Sequence, residues 1–72
     1  MFLLELKIWY SKHARDQMVA RGISEREVEE GIIKGAKRFQ LPNKIIATYR
    51  YYEVVYKKIG ERYFIITIQP RW

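Results

Sequence analysis

No cysteine occurs among the 72 residues, so the fold has no disulfide staple and no thiolate for metal binding or attack on a substrate. His13 is the one histidine, too few for a structural zinc site, which takes about three or four protein ligands. The two serines, Ser11 and Ser24, both stand where helix caps are expected, and Asp16 is the lone aspartate. A Ser-His-Asp triad finds no support. The four glycines, at 22, 31, 35 and 60, lack the spacing of a phosphate-binding loop. Long apolar runs are missing too, since Phe64 to Ile66 falls far short of the roughly 18 to 20 residues that cross a bilayer. Met1 to Ser11 shows no signal-peptide pattern. These absences together lead to the expectation of a cytoplasmic protein without metal or cofactor.

What is present suits one domain over residues 1–72. The chain is 49 % hydrophobic and 15 % aromatic, too apolar for a disordered tail. At this length folding buries only about 60 % of the surface of the unfolded chain. Charge is uneven. Residues 1–36 carry six basic and six acidic groups, while residues 37–72 carry eight basic groups against Glu53 and Glu61, which accounts for the net +6. Cations set among Tyr49, Tyr51, Tyr52, Tyr56 and Tyr63 suit single-stranded nucleic acid, because Lys and Arg neutralise phosphates and aromatic rings stack on bases. A solvated basic surface over an aromatic core has the same composition.

The pattern along the chain predicts an α+β fold in the order β-α-α-β-β-β. Phe2 to Trp9 is too continuously apolar for one helix face and reads as an N-terminal strand. Ser11 can cap a helix over Lys12 to Arg21, with Gly22 as its left-handed stop. Ser24 and Glu27 form a capping box for a second helix, Ile23 can staple Val28, and Gly35 ends it. The rest reads as Lys37–Leu41, Lys44–Tyr52, Glu53–Lys58 and Arg62–Gln69, joined by turns at Pro42-Asn43 and Gly60-Glu61. A two-helix hairpin packed on a three- to four-stranded antiparallel sheet results. Period-two alternation assigns Ile45, Ala47, Tyr49, Tyr51 and Phe64, Ile66, Ile68 to the helix-covered face, leaving Arg50, Tyr52 and Thr67 on the open one.

On the first helix His13, Gln17 and Arg21 stand four apart in one polar row, beside an apolar row of Ala14 and Met18. A histidine near a helix N-terminus tends to stay neutral and can accept a proton. It can equally be a boundary histidine donating to a backbone carbonyl, which spacing alone favours. The second helix is crowded by Glu25, Glu27, Glu29 and Glu30, which excludes it as a reader of the DNA major groove.

The stretch Ser11 to Ser24, S-K-H-A-R-D-Q-M-V-A-R-G-I-S, resembles the opening of a small uncharacterised bacterial and archaeal domain family with the pattern H-A-x-x-R-M-x-x-R-G-I-S. Gly35, Val54-Val55 and Ile65-Ile66-Thr67-Ile68 match as well, so the resemblance covers about residues 10 to 69. That family looks like a branch of the RelE/ParE-like toxins. The resemblance implies a RelE-like fold and a metal-independent ribonuclease of a toxin–antitoxin pair, or a non-catalytic RNA- or partner-binding module on the same fold. Other members of the superfamily poison gyrase. One departure is Gln17, where the family usually has Arg; a glutamine donates hydrogen bonds but cannot neutralise phosphate.

RNA cleavage without metal needs a base for the 2′-OH, an acid for the leaving oxygen and cations on the transition state. The expected catalytic set is His13 as base or acid, Arg21 and Arg50 on the phosphate, Tyr56 as proton donor or stacking ring, and Thr67, from the I-I-T motif, as phosphate donor. The expected RNA contacts are Arg15, Gln17, Arg38, Tyr52, Lys57 and Arg71. A +6 protein of this kind is expected to pair with a small acidic antitoxin carrying an amphipathic helix or strand, with Trp72, Tyr52 and Phe39 as anchors.

Overall fold

The computed structural model describes residues 7–71 and is α+β. β1 (Lys7–Tyr10) leads into α1 (Lys12–Arg21) and α2 (Glu25–Lys34). Four strands follow: β2 (Ala36–Gln40), β3 (Lys44–Tyr49), β4 (Tyr52–Ile59) and β5 (Arg62–Pro70). The expected N-terminal strand is described only from Lys7 onward, and the Trp72 anchor lies outside the described residues.

Local signals set the helix ends as expected. Ser11 accepts from the Ala14 N–H and caps α1, while Gly22 closes it at φ 68° with its N–H on the Met18 and Val19 carbonyls. The capping box of α2 is reciprocal: Ser24 Oγ accepts from Glu27 N, and Glu27 Oε1 accepts from Ser24 N at 2.9 Å. Ile23 and Val28 are both buried, as a hydrophobic staple requires. Gly35 differs in kind from Gly22. Its φ is −71°, and a Cβ there would stand 2.5 Å from the Gly31 carbonyl oxygen and 2.8 Å from that of Thr48. Close approach of backbone, not turn geometry, requires glycine at 35.

The sheet is five-stranded in the order β1-β5-β4-β3-β2. It is mixed rather than wholly antiparallel, because β1 adds to β5 in parallel, Tyr10 beside Ile65. Both helices lie on one face, α1 over β5 and α2 over β3 and β4. The core between them holds Ala14, Met18, Val28, Ile32, Ala47, Val54, Ile65 and Ile68.

Two expectations about faces are corrected. First, β3 stops at Tyr49 and Arg50-Tyr51 form the turn, so Tyr52 begins β4. It is fully buried on the helix face, where its hydroxyl donates to the Glu27 carbonyl at 2.7 Å, and not on the open face. Tyr51 is a half-exposed turn residue instead of a strand residue under the helices. Second, β5 is bulged. Val55 pairs with Thr67 but Tyr56 with Ile65, so Ile66 has no partner on β4 and the alternation inverts around it. Ile65 and Ile68 face the helices, whereas Phe64 turns to the open face.

Candidate nucleic-acid interface

Pairing across the strands builds the helix-free face in rows. One row runs Ala36, Thr48, Glu53, Gln69, and the next Arg38, Ile46, Val55, Thr67. Glu53 is only 5 % exposed and accepts three side-chain hydrogen bonds: Gln69 Nε2 at 2.9 Å, Thr48 Oγ1 at 3.0 Å and Arg38 Nη1 at 3.1 Å. The bond from Gln69 leads, ahead of Arg38 and Thr48, and together they outweigh burial and hold the carboxyl below its ordinary range. Arg38 is thus tied into the sheet as well as facing solvent.

Toward the Gly60 end the face turns basic and aromatic. Lys57 pairs with Phe64, and Phe64 with Trp9 of β1. Lys44 lies one step beyond the Ile45–Tyr56 pair, which sets it against Lys57. Like charges facing each other across strands are destabilising unless an anion lies between them. Arg62 pairs with Lys7 and Ile59, and its guanidinium stands 5.3 Å from the centre of the Trp9 ring. Trp9 is 58 % exposed and Phe64 38 % exposed, so both rings offer surface to a ligand. Glu53 is the acid that the strand pairing places on this face, and its oxygens are already occupied.

The expected site residues fall into four places. Arg38, Lys57 and Thr67 are on this face. His13, Gln17 and Arg15 are on α1. Ser11 Oγ donates to the carbonyl of the bulged Ile66 at 2.8 Å, so α1 starts where β1 stops and runs along the second half of β5. Arg15 pairs with Glu25 of α2 at 3.2 Å and covers the Tyr10 ring at 4.7 Å, which turns that flank of α1 toward α2. His13 and Gln17 occupy the opposite flank, along the β5 edge that β1 leaves unpaired beyond Ile65. Arg21, Arg50 and Arg71 sit at the far end, around the β3–β4 turn. Tyr52 and Tyr56 are in the core. Both rings are buried, so neither offers a face to a base; burial also pushes the Tyr52 hydroxyl up to about 12 and raises that of Tyr56. That corrects both tyrosine assignments, and it removes Tyr52 as a partner anchor. Phe39 stands 85 % exposed on the edge strand β2.

Trp9, Phe64, Lys44, Lys7 and Arg62 are the residues that sequence reasoning missed. Trp9 and Lys7 were within reach, because Ile8 and Tyr10 alternate with them and pack on the core. Phe64 was not, since the bulge at Ile66 reverses its face.

The described residues form two helices on one face of a five-stranded α+β sheet whose other face is basic and partly aromatic. Residues 10–69 match the model of a domain of unknown function, DUF4258, and the chain belongs to that family. No curated protein and no solved structure shows significant similarity to it. Among the described residues no helix is long and apolar enough to cross a membrane.

Proposed function

We propose that the chain binds single-stranded RNA across the helix-free face of its sheet, as a RelE/ParE-like, toxin-type domain. The observation that carries this reading is the pair of exposed rings, Trp9 beside Phe64, bordered by Lys7, Lys44, Lys57 and Arg62. Bases stack on the rings while the cations take the phosphates. The opposed Lys44 and Lys57 give this face a charge that a polyanion relieves. Its basic surface is suited to a small acidic antitoxin, for which exposed Phe39 remains an anchor.

A second reading, metal-independent cleavage in the cytoplasm, is favoured by the placement of α1. His13 and Gln17 border the unpaired edge of β5, and Thr67 lies on that same stretch of strand. A strand of RNA crossing the edge would bring its 2′-OH to His13 as base, while Arg21, two turns further along α1, would take a neighbouring phosphate of the same strand. The Gln17 side chain accepts from Arg21 Nε at 3.0 Å, so it orients that guanidinium instead of adding charge.

Incubation with total RNA in EDTA at low salt, beside a binding assay, separates the readings. Binding without cleavage supports the module. Cleavage that His13→Ala abolishes supports the nuclease, and cleavage that survives it removes His13 from the mechanism. Absence of binding removes both.

A further inference from the structure

β2 is the outer strand of the sheet on the side away from β1, and every residue in it is exposed. The helices do not cover it, since α2 packs over β3 and β4 and stops short of β2. Phe39 pairs with Ile45, which packs on the helix-side core, so its ring stands on the covered side of the sheet but beyond the cover. Lys37 pairs with Ala47 and points the same way. Its Nζ reaches the carbonyl of half-exposed Ile33 on α2 at 3.5 Å, which borders the bare strip with a second apolar side chain.

Alternation of hydrogen bonds shows which backbone groups of β2 are free. The two-residue turn Arg50-Tyr51 makes its flanking residues, Tyr49 and Tyr52, a hydrogen-bonded pair. Bonding then alternates along β3: Tyr49, Ala47 and Ile45 bond to β4, while Thr48, Ile46 and Lys44 bond to β2. Their partners Ala36, Arg38 and Gln40 therefore turn their N–H and C=O groups inward. Those of Lys37 and Phe39 point outward along an edge that is unpaired among the described residues.

Sheet edges are ordinarily blunted by proline, by a bulge or by charge held at the edge. β2 has no proline, and its pairing with β3 runs from Ala36 to Gln40 without a shift. Both of its cations are engaged elsewhere. Lys37 Nζ is folded back on the Gly35 carbonyl at 2.6 Å, and Arg38 is held by Glu53 at 3.1 Å.

We propose that a second copy of this chain pairs with β2 antiparallel, about a two-fold axis at Arg38, joining the two sheets into one. The strand is self-complementary about that axis. Arg38 is the middle of the strand, and the outward-bonding residues Lys37 and Phe39 stand on either side of it. Lys37 of each copy then exchanges both hydrogen bonds with Phe39 of the other, and its aliphatic stem lies along that bare ring. On the open face Arg38 meets Arg38 of the second copy, but each keeps its own Glu53, so two neutralised pairs meet and not two bare cations. Charge also suits the match. α2, which flanks this edge, carries Glu25, Glu27, Glu29 and Glu30 against Arg26 and Lys34, so the basic β2 of one copy approaches the acidic helix of the other. A two-fold pairing is closed, which stops growth at the dimer.

Sedimentation equilibrium at chain concentrations up to about 1 mM tests it. The mass should rise with concentration from one chain to two and no further. Phe39→Lys removes the ring and sets a lysine against Lys37 of the second copy, which should weaken pairing at least about tenfold. It should melt with the parent at low concentration, because Phe39 is bare in the single chain. Val19→Lys adds the same charge at an equally exposed site on α1 and should leave pairing within about twofold. The chain has no cysteine, so a single introduced thiol can cross-link only to another copy. With oxidised glutathione as oxidant, Arg38→Cys places two thiols across the axis, within disulfide reach, and should give a covalent dimer. Ala36→Cys, whose counterpart is displaced by about 13 Å along the strand, should give at least about tenfold less. The proposal is overturned by a chain that stays single at every concentration, by an assembly that grows beyond two, by Phe39→Lys pairing as well as Val19→Lys, or by equal cross-linking of the two cysteine variants. A single chain that takes up an acidic peptide at Phe39 would also overturn it, giving this edge to a foreign strand.

Discussion

Glu53 shows how a single side chain ties the open face together. Its two carboxylate oxygens gather Arg38 from β2, Thr48 from β3 and Gln69 from β5, so four strands share one acceptor. Removing it leaves those donors without their partner, and Glu53→Ala should cost about 2 kcal/mol in urea unfolding at pH 7. The pH dependence has a definite sign. The folded carboxyl is held below its ordinary range, near 4.5, so its contribution is complete above that range and is lost as pH falls through the lower folded value. Glu53→Gln should therefore flatten the acid limb of the stability profile below about pH 4.5. A variant with the parent's acid limb would place the acid sensitivity elsewhere. The sequence marks Glu53 only as one of two acids among the eight cations of residues 37–72; its three donors come from distant strands, and local pattern carries no trace of them.

Among the elements, legibility follows range. The caps of α1 and α2 were readable because each is closed within about four residues: Ser11 with Ala14, Ser24 with Glu27, Gly22 with Met18. The β3–β4 turn was not readable. It carries Arg50-Tyr51 with no glycine or asparagine, so Lys44 to Tyr52 reads as one strand and Tyr52 lands on the wrong face. The bulge at Ile66 was hidden for another reason. Its cause is long-range, the partnering of β5 with β4 while Ser11 takes the Ile66 carbonyl. Those two shifts moved Tyr52 into the core and Phe64 out of it, and the candidate site moved with them. The α2–β2 junction gives a sharp test of element packing. Gly35→Ala would drive a Cβ into the Gly31 and Thr48 carbonyl oxygens and should cost about 3 kcal/mol or more. Gly31→Ala places its Cβ 3.5 Å from Tyr52 and Val54, an ordinary contact, and should change stability by less than about 1 kcal/mol. Equal effects in urea unfolding would contradict this account of the junction.

For the molecule as a whole, a +6 chain could attract any polyanion, and charge alone says nothing about where it binds. The helix-free face makes a narrower claim. Its cations, Lys7, Lys44, Lys57 and Arg62, release counterions when phosphates replace them, while Trp9 and Phe64 act through stacking and release none. The two contributions can be measured apart. The decisive measurement is the affinity for an unphosphorylated single-stranded RNA as a function of salt, for the parent, Lys44→Gln/Lys57→Gln and Trp9→Ala. Four phosphate contacts predict a slope of log K against log [salt] of about −3 for the parent, falling in magnitude by about 1.4 in the double lysine variant. Trp9→Ala should lose about 1–3 kcal/mol of affinity at every salt concentration with the slope unchanged. A double lysine variant with the parent's slope, or a Trp9→Ala protein with the parent's affinity, would contradict RNA binding on this face.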